Sequence, residues 1–326
     1  MSTNAIRLAG SASARMLLPI FQQQPASQSC AAKGAHCFKQ FFTSPTNKLA
    51  RFVGNTKSLD KCFKLGKAVS ECAVGIIEDI GVTGDPLTAA QNTQKALKTA
   101  REVIALANVL NGAIPSIVNS SQRCYQYTSK AWALGNNEQT YEDPQPYNKM
   151  LLNRSDYLWA AAKEASIAIS ATTYSTTFGI LRPLMLINKL TPRPFLDKAV
   201  SHNFGMAVAG IMAINHVAGV TGGACNLVLE QRMYRRAKES LHAETSGLDN
   251  DALLSAERGL RAEHTAVIKN SVLTMIEKAL ELVVDAIKFI PLPITTACGA
   301  ALSGAFTAAS SAVGLYAIWQ RTKSGN

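Results

Sequence analysis

The stretch AVSHNFGMAVAGIMAINHVAGVTGGACNLVL, residues 199–229, runs for 31 positions without an Asp, Glu, Lys or Arg. A helix needs roughly 20 mostly apolar residues to cross the hydrocarbon of a bilayer, so this segment is long enough. Two others resemble it: Ala165 to Leu181, 17 residues, and Phe289 to Gln320, 32 residues. Together they predict an all-α, membrane-associated chain. All three are rich in Ala, Gly, Ser and Thr rather than Leu, a composition that equally suits helices packed tightly on one another.

Working outward, one lobe at 165–188 and a second at 204–229 flank KLTPRPFLDK, 189–198, whose two prolines and mixed charges cannot continue a helix. Helix, Pro-rich turn, helix is the form of a hydrophobic hairpin, and it is placed at 151–230. Arg182 and Pro183 interrupt the first lobe. An Arg near a bilayer centre costs about 2.5–3.5 kcal/mol on insertion scales, so either Arg182 snorkels to an interface or that lobe does not span. Beyond the hairpin, 231–290 reads as charged and then amphipathic helices, interrupted at Thr245 to Asp251. Ile276, Leu280, Val283 and Ile287 take one face there, and Glu277, Glu281, Asp285 and Lys288 take the other. That helix is too charged to span and is expected to lie on a membrane or a partner. Pro291 and Pro293 end it, and a C-terminal apolar helix occupies 291–326.

Upstream, no Asp or Glu precedes Asp60 while seven basic residues do, so the net charge of +11 falls to +4 once they are set aside. Residues 1–56 therefore read as a disordered basic leader, of the kind found in mitochondrial transit peptides and in unfolded bacterial export signals. A helical, soluble region is expected at 57–133. Leu65, Val69, Cys72, Ile76 and Ile80 share a face in its first helix. Asp85 and Pro86 make an N-cap and first turn for a second helix reaching roughly Ala113, with Pro115 just beyond its end. Val103 to Gln122 is uncharged, but its Asn, Ser and Pro residues make it a poor span. LGNNEQTYEDPQPYNKM, 134–150, reads as a linker.

Hydrophobic residues make up 47% and charged residues 17%, against about 25% charged in an ordinary soluble domain, with a mean hydropathy of +0.05. The basic excess belongs to the leader, which argues against a nucleic-acid-binding face. Seven cysteines without a C-x-x-C pair point to neither a disulfide framework nor a zinc site. Phosphate-binding loops, dinucleotide turns, zincin helices and nucleophile elbows are all missing from the sequence, so no catalytic, cofactor-binding or metal residue is assigned and no enzyme is expected. Of the five histidines, His216 beside Asn215 is the one set in an apolar helix, where a structural hydrogen bond is the expected role. An enzyme would require a pocket gathering His216 with an acid and a nucleophile. Small residues recur every fourth position as Gly205, Ala209 and Ala213 and as Ala300, Gly304, Ala308 and Ala312, stripes that let a second helix approach closely. Gly219, Gly222 and Gly223 suit the same close packing.

Several blocks resemble, in order, the chlamydial inclusion membrane protein family, and within it the class I accessible group. They are FFTSPTNKLARFVGNTKSLDK (41–61), REVIALANVLNGAIPSIVNSSQ (101–122), TFGILRPLMLINKLTPRPFL (177–196), AINHVAGV (213–220) and SVLTMIEKALELVVDAIKFIPLPIT (271–295). The resemblance implies a type III secretion signal in the leader, with a secretion chaperone as an expected partner. It further implies a non-catalytic effector in the membrane of the host vacuole, the inclusion, or at lipid droplets. There it would present helical surfaces to host cytosol for host-pathogen interaction and serve as an antigen. The bilayer, a host protein and a second copy joined through the small-residue faces are the partners expected. The alternative is a soluble helical bundle that binds membranes or lipid droplets peripherally.

Overall fold

The computed structural model describes residues 48–135, 139–142, 150–191, 195–244, 250–289 and 296–322, so 1–47 of the expected leader over 1–56, and with it the expected secretion signal, lie outside the described residues. A short helix α1, Lys48–Val53, precedes α2, Thr56–Asp79, whose N-cap Asn55 accepts from the Lys57 amide at 2.9 Å. Helical structure thus begins within the segment read as leader. The chain turns through Gly81 (φ 72°) and Gly84 (φ 91°), positive-φ positions that favour glycine. Gly84 is the N-cap of α3, Asp85–Ala133, so Asp85 opens the helix instead of capping it.

Helix α3 does not stop near Ala113. A π-helical turn, Val109–Ala113, carries it past Pro115 to Ala133. The same device recurs in α4, residues 154–190, where the π turn Thr176–Leu181 precedes Pro183. In an α-helix a proline ring collides with the carbonyl four residues back and leaves that carbonyl without a donor. Here the Ile114 amide bonds the Val109 carbonyl and the Arg182 amide bonds the Thr177 carbonyl, widening the turn just ahead of each proline. The two π turns also touch, since a Cβ on Gly179 would lie 3.3 Å from Val109 Cγ1.

The expected linker contains an antiparallel hairpin, β1 Gln139–Glu142 with β2 Met150–Asn153, which leads directly into α4. Asn153 and Asp156 form a reciprocal capping box there, at 3.2 and 3.0 Å. Three further helices follow: α5, Lys198–Glu244, α6, Asn250–Phe289, and α7, Thr296–Arg321. The 47 residues of α5 run without a break through position 230, about 70 Å of continuous helix.

Each long helix packs antiparallel on the next, and α7 returns to pack on α2, so α2 to α7 close an up-and-down six-helix ring. Because α2 and α7 have only 24 and 26 residues, the ring is complete over part of its height. Beyond them α3, α4, α5 and α6 continue as a four-helix extension, with a core of Ala131, Leu152, Tyr157 and Met233 and with Leu260 against it. Among the described residues, three helical spans are long and apolar enough to cross a membrane: Asp85–Ala133, Ala199–His242 and Cys298–Arg321. The hairpin predicted from sequence forms as α4 and α5, but only its second arm is among these three. Asp85–Ala133, which contains the run Val103 to Gln122 read as a poor span, takes the place of the first.

Candidate functional site

A cavity of about 610 Å³ lies inside the ring and is lined from all six long helices. Its wall carries eight Lys and Arg side chains against five carboxylates. On one side α2 meets α6: Lys61 bonds Glu277, Lys64 bonds Glu281, and Lys278 Nζ donates to Glu281 at 3.0 Å. Ser310 of α7 donates to Glu281 Oε1 at 3.1 Å. His216 of α5 stands between two acids, with Nδ1 hydrogen-bonded to Asp285 at 2.7 Å and Nε2 2.7 Å from Glu281 Oε2. Across the cavity Arg101 Nε donates to Asp60 at 3.1 Å, and Arg182 lies over the Phe178 ring at 4.8 Å with Glu102 3.8 Å away.

The amphipathic helix of 272–288 turns its charged face inward. Glu281 and Asp285 are 5% and 3% exposed, while Ile276 and Val283 are 44% and 39% exposed. Helix α2 is inverted in the same way: Lys64 is buried, and Val69 and Ile76 of its predicted apolar face look outward. The pattern extends around the ring. Over residues 62–77, 96–118, 165–187, 199–229, 270–287 and 298–320, no exposed residue is Asp, Glu, Lys or Arg. Every charged residue in those stretches lines the cavity except Glu277, which is buried against Lys61. Since each stretch contributes to the one cavity, the uncharged belts lie at a common height. The shortest, 16 residues, spans about 24 Å of helix. Exposed threonines in the belt turn their hydroxyls onto their own helix, Thr99 to the Lys95 carbonyl at 3.1 Å and Thr172 to the Ala168 carbonyl at 2.8 Å.

The four-helix extension, unlike the belt, exposes charged side chains: Arg235 and Glu239 pair on the surface and His242 meets Glu257 at 2.8 Å, while buried Asp156 is held by Arg236 at 2.5 Å and Arg232 at 3.6 Å.

Of the small-residue stripes, Gly304 is a close-approach point, since a Cβ there would come within 2.9 Å of the Ala68 carbonyl on α2. Gly205 has nothing within 4 Å of such an atom and lines the cavity with Ala209. Ala213, Ala300 and Ala308 are half-buried and Ala312 is exposed. Gly219 and Gly223 sit against Lys278 and Met275 of α6, and Gly222 against Ser166 of α4, the packing use expected of them. Asn215 donates to the Ser170 carbonyl at 2.5 Å, tying α5 to α4. Arg182 points into the cavity.

The sequence reading missed the ion cluster. Its signal was present as Lys61 and Lys64 on one helix and Glu277, Glu281 and Asp285 at four-residue spacing on another. The cavity wall gathers His216 with two acids, Glu281 and Asp285, whereas Ser310 stands behind the lining and donates to a carboxylate oxygen that Lys64 also holds, rather than to the imidazole. Among the described residues no group of three or more His, Cys, Asp or Glu side chains could hold a metal ion. Comparison with known proteins returns no matching family model, no matching curated protein and no matching solved structure.

Proposed function

We propose that the chain is a non-catalytic, membrane-inserted protein whose six-helix ring sits in lipid and whose four-helix extension projects into water as a surface for partners. One observation carries this: over the belt, charges face the cavity and exposed side chains are uncharged on all six helices. A water-soluble bundle has the reverse preference. Ionisable residues within membrane segments characteristically face the bundle interior and pair with one another. The resemblance to chlamydial inclusion membrane proteins supplies the setting: a type III secreted effector in the vacuole membrane, its extension offered to a host protein. The charged faces around Arg232, Arg235 and Glu257 fit that use, whereas most of 57–118 belongs to the ring.

Carbonate extraction combined with labelling of Cys62, a native thiol exposed on the belt, tests the membrane placement. In membranes the protein should stay in the pellet, and Cys62 should react with a membrane-impermeant maleimide only after detergent is added. Release into the supernatant, with Cys62 labelled equally fast before and after detergent, would establish the peripheral soluble bundle instead.

A further inference from the structure

We propose that the cavity is a binding site for a phosphate-bearing amphiphile, its phosphate held by Arg182 and Lys95 and its apolar portion seated against Met185, Leu186, Val208 and Met212. Three observations lead there. The lining has more cations than carboxylates, so its potential favours an anion. Arg182 is held in place over Phe178, yet its Nε is buried without a hydrogen-bond partner. A guanidinium fork with a free donor is suited to phosphate oxygens, which it can bond in pairs. Finally, Met185 and Leu186 of α4 and Val208, Ala209 and Met212 of α5 give the lining an apolar part, and about 610 Å³ exceeds what a bare phosphate needs while suiting a ligand with an apolar body.

The site requires the ring but not the bilayer, so it stands or falls separately from the membrane placement. The shared chemistry, a phosphate joined to an apolar group, could come from a membrane phospholipid or from a soluble phosphate monoester. The full chain in neutral detergent is titrated with dihexanoyl phosphatidic acid, hexyl phosphate, inorganic phosphate and uncharged dihexanoylglycerol, with binding followed by calorimetry and by the shift in Tm. Phosphatidic acid should bind at least about tenfold more tightly than inorganic phosphate or dihexanoylglycerol, and the place of hexyl phosphate in that series assigns the source. Arg182→Gln should weaken phosphatidic acid about tenfold or more. Lys95→Gln, at an exposed position that lines the cavity, should weaken it with the fold intact by circular dichroism. Arg235→Gln on the extension should leave it unchanged. Equal binding of dihexanoylglycerol, equal binding of inorganic phosphate, or loss that does not follow Arg182 and Lys95 would each overturn the proposal.

Discussion

Glu281 takes a bond from Lys64 and another from Ser310, and it lies 3.0 Å from Lys278 Nζ and 2.7 Å from His216 Nε2. Four helices therefore converge on one carboxylate. Removing one partner from a buried ion pair is strongly destabilising, about 3–5 kcal/mol, because the charge left behind has no compensation. Glu281→Gln keeps the shape and strands Lys64, so a loss in that range is expected in denaturant unfolding of the detergent-solubilised protein. Adding Lys64→Met to that variant should recover part of the loss, giving a coupling of at least about 1 kcal/mol between the two sites. Additive losses would mean that the two side chains do not share a site. Glycines give a second, signed test. Gly205→Ala has open space and gains about 0.8–1.0 kcal/mol of helix propensity, whereas Gly304→Ala drives a methyl into the α2 backbone and should lose about 1–3 kcal/mol. The same sign at both positions would remove the distinction between the seam and the cavity wall.

The π turns decide how far each long helix can run, because they let α3 and α4 pass Pro115 and Pro183 with their faces preserved on both sides. A π turn amounts to one residue inserted into an α-helix. Deleting Gly112 together with Pro115→Ala should therefore yield an unbroken α-helix in the same rotational register, with stability close to that of the parent. Deleting Ala279 from α6, which has no such turn, rotates everything on one side of it by about 100° and should part Glu277 from Lys61. Equal tolerance of the two deletions in thermal unfolding would remove the role assigned to the turn. This is also where sequence reading reached its limit at the scale of elements. Pro115 was a correct signal of an irregularity and a wrong signal of an end, because the extra residue that absorbs a proline leaves no mark in composition or period. The helices themselves were legible in their three- and four-residue spacings, and the hairpin of α4 and α5 in its Pro-bearing turn. Which face of α2 and α6 looks inward was not legible. An amphipathic pattern has two sides, and only the cations of one helix meeting the acids of another determine which is buried.

At the scale of the molecule the same inversion explains why averaged hydropathy finds three spans where the ring has six helices. Averaging counts Lys64, Arg182 and Glu281 against their helices, although none of them faces outward. What a single outward residue does can separate a ring in lipid from a bundle in water. Val103 on α3 is 64% exposed at the level of the belt. On a soluble bundle, Val103→Lys would alter a surface position and change stability by no more than about 0.5 kcal/mol. Within hydrocarbon the same ammonium costs about 2.5–3.5 kcal/mol at the centre of a span, less whatever it recovers by snorkelling. The variant should therefore show reduced membrane insertion in a translocation assay and a larger fraction released by carbonate. A lysine at Lys238, on the extension, is native and exposed, so Lys238→Val should leave insertion unchanged and so control for the mere presence of a lysine. If Val103→Lys inserts as the parent does, the belt faces water or protein rather than hydrocarbon, and the placement of the ring in lipid is overturned.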